Sequence, residues 1–364
     1  MKKNYVTLEE VCVKGSSNIA QKDLENNEGR YPIYGASGFI KNVDFYAQDK
    51  PYIAVVKDGA GIGRTMMLPA HSSVIGTMQY LLPKDNIDIS YLYYAVTAMN
   101  LAKYYTGATI PHIYFKDYRK EKLPVVDKIE QKKIVEVLSK IDALVIYHKR
   151  QLDDFEVLLK SRFIEMFGDL KLNDKKWEVK FFKDLTLLIT DGEHSTPRRT
   201  DNGIYLLSAR NVLNHSLQLN DIDYIDEVEY ERISKRIQPM IGDVLLSCSG
   251  SVGRCCAITK DIKFQMVRSV ALLRFKAEIN PVFAEYMIVS DYLQEQINSN
   301  KTASSQSNLF QGKIKMLKGV IPPLDLQNQF ADFVEEVNKS KLEVQKSLEE
   351  LETLKKSLMQ QYFG

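Results

Sequence analysis

The residues of this 364-residue chain best equipped for chemistry are hydrogen-bond donors rather than nucleophiles. The loop Asp191-Gly192-Glu193-His194-Ser195-Thr196-Pro197-Arg198-Arg199 sets two guanidiniums beside an imidazole and hydroxyls. His194, Thr196, Arg198 and Arg199 could meet phosphates or base edges in a major groove, or simply form a solvated turn. Arg210 and Asn211 lie just past the apolar run YLLS. Arginine matches guanine O6 and N7, and asparagine matches adenine N6 and N7.

Two glycine turns end in arginine: Gly59-x-Gly61-x-Gly63-Arg64, preceded by Lys57, and Gly253-Arg254. Neither is a nucleotide-binding loop. No Gly-Lys-Ser/Thr follows, and strand residues rather than a helix come next. The glycines serve a tight turn, or they let backbone N–H groups approach a phosphate while Arg64 or Arg254 adds charge. Two more polar loops occupy equivalent places. One runs from Lys301 to Asn308 and offers Ser304, Ser305, Gln306 and Asn308; the other offers Thr109, His112 and Lys116. Each reads as a linker or as a loop ordered by nucleic acid.

Catalytic constellations are missing. There is no Walker A, H-E-x-x-H or G-x-S-x-G, and Pro322-Pro323 is followed by leucine, which spoils an adenine-methylation motif. The four cysteines, Cys12, Cys248, Cys255 and Cys256, form no C-x-x-C pair. They read as reduced thiols of a cytoplasmic protein and not as metal ligands. The N-terminal MKKNYVTLEE lacks an apolar signal core, and no 18-residue apolar window predicts a membrane span. A formal charge of +2 argues against a polybasic binder but leaves room for a locally basic groove.

Something must position these loops, and the spacing of apolar residues says what. From Leu324 to Phe363 the chain has no Pro or Gly, and Phe333, Val337, Ser340, Val344, Ser347, Leu351, Leu354 and Leu358 alternate four and three apart. That is the seam of a helix packed along another helix. A second such run ends at Phe167, with seam positions Ile134, Leu138, Ile141, Val145, His148, Leu152, Phe155, Leu159, Arg162 and Met166. Each predicts a helix of about 35–40 residues and roughly 50–60 Å. Packed antiparallel, they would bring His148 near Ser347. Pro124, Asp127 and Gln131 align with Pro322, Asp325 and Gln329 at a spacing of 198, whereas Phe167-Gly168 aligns with Phe363-Gly364 at 196. That mismatch implies a net two-residue deletion in the second helix.

Ahead of each helix lies a punctuated, strand-rich unit. Strands are expected at Tyr52–Val56, Thr65–Leu68 and Met78–Leu82, then at Ile204–Ser208, Asp243–Ser247, Cys255–Ile258 and Ser269–Phe275. Helices are expected at Ile89–Tyr105 and Val282–Ser299. The fold class is therefore α+β. Two α/β domains, residues 1–122 and 171–320, alternate with helical segments 123–170 and 321–364 in an internal pseudo-twofold repeat. Two separated heads on an antiparallel helix pair suit a duplex with two half-sites.

LPVVDKIEQKKIVEVLSKIDALV and IPPLDLQNQFADFVEEVNKSKLEV resemble the two repeated regions of type I restriction-modification specificity subunits, although Asn328 stands where the first copy has Glu130. DGEHSTP, GDVLLSCSGSVGR and YPIYGASGF resemble pieces of that family's target recognition domains. The resemblance implies a non-catalytic subunit that binds double-stranded DNA and holds no cofactor. It would dock two adenine-N6 methyltransferase subunits using S-adenosylmethionine, and restriction motor-nuclease subunits using ATP and Mg. The competing readings are a stand-alone coiled-coil scaffold and a fused methyltransferase or nuclease.

Overall fold

The computed structural model describes residues 4–107, 111–302 and 307–364. The chain divides into two units, Met1–Gln151 with Val344–Gly364, and Leu152–Glu343.

In the first unit a four-stranded antiparallel sheet has the order Cys12–Ser16, Met78–Pro83, Tyr52–Val56, Thr65–Leu68. Tyr52–Val56 is buried along its whole length, as a strand covered on both faces must be. A smaller sheet joins Gly38–Val43, Tyr31–Gly35 and Ser73–Val74, the last two parallel. Asn4–Thr7 pairs with Lys122–Val125 at the root of the domain. The helix Ile89–Ala98 starts at Asp88, whose carboxylate caps Ser90 N and Tyr91 N.

The second unit repeats this plan. Its main sheet runs Thr186–Asp191, Val270–Phe275, Asp243–Ser247, Cys255–Ala257. Ile204–Leu207 lies parallel to Phe264–Met266, and Glu178–Phe181 pairs with Lys318–Ile321. Asn280 takes the place of Asp88, capping Pro281–Val289 through Val282 N and Phe283 N. This head adds a hairpin, Val212–Leu213 with Ser216–Leu217, and a helix Glu227–Ser234.

Two helices of 40 residues, Lys128–Phe167 and Leu324–Phe363, complete the chain. In the first unit the start of one packs with the end of the other: Ile134 and Leu138 share a core with Phe363, whose ring meets Tyr91 at 5.1 Å. In the second unit the roles reverse. Phe163 and Phe167 pack on Phe330, with centroids 5.3 and 5.5 Å apart, and Phe167 meets Phe283 at 4.7 Å. Both pairings are antiparallel. His148 meets Ser347, Nε2 to Oγ, at 3.2 Å.

The predicted deletion is not there. The helices have equal length, and one spacing of 196 relates them throughout. Gln131 corresponds to Gln327, not Gln329. Each accepts a hydrogen bond from the cap residue's N–H at 2.8 Å, Asp88 N to Gln131 and Asn280 N to Gln327. Each also donates at 2.8 Å to the carbonyl five residues back, Val126 and Pro322. The repeated glutamine in LQNQ misled the alignment, because only the buried one does this work. The Glu130–Asn328 contrast disappears with it. Two predicted seam positions also fall off the buried stripe. Leu354 is 48 % exposed while Lys355 beside it reaches Asp142, and Ser340 is exposed while Lys341 beside it pairs with Glu156; Phe333 is half-buried, with the Arg162 guanidinium 5.7 Å from its ring.

Candidate nucleic-acid interface

The site is built at the end of the central strand of each head. In the first unit Tyr52–Val56 runs into Lys57, Asp58 and the turn Gly59–Arg64, which Gly63 N closes onto Val56 O at 2.8 Å. Gly59, Gly61 and Gly63 have φ of 84°, 85° and 80°, the left-handed region that side chains avoid. Gly63 has a second reason to be glycine, since a Cβ there would lie 2.4 Å from Ala102 N. Two other loops converge on this turn. Lys57 N and Asp58 N donate to Thr77 O, Ile113 N donates to Lys57 O, and Gly59 N donates to Pro111 O at 3.0 Å. His112 Nδ1 sits 2.7 Å from Asp58 Oδ1, and His112 also bridges to Thr106 through the backbone. Arg64 is exposed and reaches Ala36 O at 3.2 Å, which ties the turn to the hairpin of YPIYGASGF. Lys116 lies 5.3 Å from the centroid of the Tyr114 ring.

The second unit builds the same node. Asp243–Ser247 runs into Cys248, Ser249 and a turn closed by Gly253 N on Ser247 O at 3.0 Å. Cys248 N donates to Ser269 O, Leu309 N to Cys248 O, Gly250 N to Ser307 O and Thr302 N to Asn308 O. Every one of these bonds has its equivalent in the first unit. Superposed by hydrogen bond, Lys57 corresponds to Cys248, Asp58 to Ser249, His112 to Asn308, Thr106 to Thr302 and Gly76 to Arg268. The Asp58–His112 bridge becomes a Ser249–Asn308 bridge, with Ser249 Oγ donating to Asn308 Oδ1. The main chain is kept and the side chains are exchanged.

Around this node the second unit carries a belt of arginines held by acids. Arg198 pairs with Asp226. Arg199 Nε lies 3.0 Å from Asp223, and Arg210 Nη2 lies 3.1 Å from the same carboxylate. Arg232 pairs with Glu229 at 2.8 Å; Arg236 pairs with Asp191 at 3.1 Å and donates to Gly192 O. Backbone donation from Glu229 and the Arg198 guanidinium keep the Asp226 carboxyl below its ordinary range. His194 Nε2 is 2.9 Å from Asp191. Thr196 is exposed, and Arg254 is half-buried with its N–H held by Ser247 Oγ. Exposed ion pairs contribute only about 0–1 kcal/mol, so an arriving phosphate can take the guanidiniums at little cost.

Asn211 is placed differently from the expectation. It is fully buried. Its amide donates to Gln218 O and Asp221 O, and its Oδ1 accepts from Ser208. It holds the Arg210 turn and presents no edge to a base. Thr109, Ser304, Ser305 and Gln306 lie outside the described residues.

Sequence reasoning missed Arg268. It is exposed and makes no ion pair among the described residues. With His194, Asp191, Ser249 and Asn308 it borders a cavity of about 440 Å³. Its only signal was positional: a cation two residues ahead of a strand, where the first copy has Gly76. Among the described residues no cluster of His, Cys, Asp and Glu could hold a metal ion, and no helix is long and apolar enough to cross a membrane.

Known proteins are similar to this chain along its length. A family profile described as "Type I restriction modification DNA specificity domain" matches residues 2–156 and 174–353. A Methanocaldococcus jannaschii protein, the type I restriction enzyme MjaVIII specificity subunit, is 23% identical over 378 aligned positions, covering 95% of this chain and 88% of its own. The putative MjaX specificity subunit of the same organism is 26% identical over 57% of this chain and 50% of its own. Among solved structures, the S subunit of a type I restriction-modification system from M. genitalium superposes with a TM-score of 0.66 at 15% identity, covering 100% of this chain and 96% of its own. A chain from a structural description of type I R-M complex assembly superposes with a TM-score of 0.57 at 12% identity, covering 99% and 97%. These likenesses bear on the fold.

Proposed function

The chain belongs to the type I restriction-modification DNA specificity family, and from that premise we propose that it reads a split, asymmetric duplex target with two heads. One observation carries the reading. A single loop scaffold recurs in both units with different side chains on it, as two readers of different half-sites require. Arg64, Lys57, His112 and Lys116 serve the first half-site. His194, Thr196, Arg198, Arg199, Arg210, Arg254 and Asn308 serve the second. The arginines now resting on carboxylates exchange them for phosphates when DNA arrives. The heads correspond to residues 1–122 and 171–320, and the helical segments 123–170 and 321–364 act as a ruler that sets the gap.

The helices also recruit the catalysts. Ile146, Tyr147, Val157 and Ile164 stand 68, 57, 64 and 50 % exposed along the first long helix, an apolar surface the chain itself leaves uncovered. We assign it to adenine-N6 methyltransferase subunits that bring S-adenosylmethionine, with ATP- and Mg-dependent restriction subunits joining them. In this reading the chain contributes recognition and no catalytic group.

Sequencing of methylated adenines in genomic DNA, from strains with and without this chain, tests the proposal. A bipartite motif that appears only with the chain is expected. A contiguous motif, or one unchanged by removing the chain, would refute it.

A further inference from the structure

We infer that Arg268 reads a guanine in the half-site of the second head, a contact for which the first head has no counterpart. This deepens the reading above and rests on it. The node where three loops meet has the same backbone hydrogen bonds in both units, so its side chains are presented at equivalent places. At the place of Arg268 the first unit has Gly76, with nothing beyond the backbone to offer.

Pairing and exposure together single out Arg268 among the arginines of the second head. Arg198, Arg199, Arg210, Arg232, Arg236 and Arg274 each rest on a carboxylate; Arg254 and Arg268 make no ion pair among the described residues, and of those two only Arg268 is exposed. The acids of the loop that Arg268 adjoins are already engaged. Asp191 is held by His194 and Arg236, and Glu193 by Ser195 and Arg232. The backbone at this point is fixed as well. Arg268 N donates to Glu193 O at 3.0 Å, and Val267 bridges to Glu193. A planar cation is thus left without an anion, on a rigid stem, at the edge of a cavity lined by His194 and Asn308. Guanine, with O6 and N7 side by side, is the base edge that a guanidinium's paired donors fit best.

The experiment uses the chain assembled with its methyltransferase partner and a DNA library randomised across both half-sites, with methylation read by sequencing. In Arg268→Ala, preference for guanine at one base pair of the second half-site should fall by about 10–100-fold, the range of one bidentate contact. The rest of the motif should stay unchanged. Arg268→Lys should keep part of that preference. Uniformly slower methylation with an intact motif would show a phosphate contact and overturn the inference; so would an unaltered motif and rate. If Arg268→Ala fails to assemble on size exclusion, Arg268→Gln gives the same readout. Failure of the underlying reading is recognised separately, because the unmodified complex would then show no bipartite preference at all.

Discussion

The five arginines of the second head's belt, Arg198, Arg199, Arg210, Arg232 and Arg236, are exposed and end on carboxylates, and this decides what their removal should do. Arg198→Ala takes away a phosphate partner without emptying a buried site, since the side chain is 67 % exposed. Binding should weaken at one half-site only, and the slope of log affinity against log salt should fall by about one. Titration of binding between low and moderate salt, on duplexes altered in one half-site at a time, measures both. Equal loss at both half-sites would contradict two independent readers. The cysteines give a second residue-scale test. Burial pushes the thiols of Cys12, Cys248 and Cys256 up to about 12, and raises that of Cys255 as well. A thiol-specific chromogenic reagent at pH 8 should find almost none of them in the folded chain and all four after denaturation. At this scale sequence reading was least secure. Arg210 and Asn211 are adjacent and both polar, yet one is exposed and the other is a buried brace. The difference arises because the hairpin that follows brings Gln218 O and Asp221 O onto the Asn211 amide.

Elements were far more legible. Tyr52–Val56, Thr65–Leu68 and Asp243–Ser247 stand where unbroken apolar runs put them. The long seam also gave helices of the right size. The errors occur where a local signal was overrun. Ser290, extended at ψ 151°, divides Val282–Ser299 into two helices, with its hydroxyl turned back to donate to Met287 O. Asn100, at φ 47°, ends the earlier helix and turns the chain into Leu101–Tyr104, against which Gly63 packs. Two seam positions, Ser340 and Leu354, went astray because the half-buried stripe passes instead through the lysines that follow them, Lys341 and Lys355, which meet Glu156 and Asp142. The register error has an energetic counterpart. Gln131→Ala removes a buried side chain and leaves the part-buried Asp88 N–H without its acceptor, at a cost of about 1–3 kcal/mol. Gln329→Ala, at an exposed position, should cost under about 0.5 kcal/mol. Denaturant titration of the two variants decides between the two alignments. Phe330→Ala, cutting into the aromatic cluster with Phe163 and Phe167, should lose about 3–5 kcal/mol.

On the scale of the whole molecule, the repeat itself was the most legible feature. Its two copies share the sheet order, the helix cap, the loop node and the glutamine clamp, although few side chains at the node agree. Physical constraint explains the contrast. Backbone bonds and core burial tolerate little change, while the node's side chains carry none of those backbone bonds and are free to differ. Replacing Met1–Lys122 with the corresponding head of a homologue should therefore change one half of the methylated motif and leave the other. Adding one heptad to both long helices should widen the gap between the halves by about 10 Å, or roughly three base pairs. An unchanged gap would remove the ruler.

The glutamine clamp has a mechanical consequence. Gln131 bolts the first turn of its helix to the cap of Ile89–Ala98, so a rotation of that turn would carry the cap with it. A single residue inserted just beyond the clamp would turn the reading loops by about 100° about the helix axis rather than being absorbed. On the proposed reading, lengthening is therefore tolerated in whole turns, and the gap grows only in steps that bring the loops back to face the same groove.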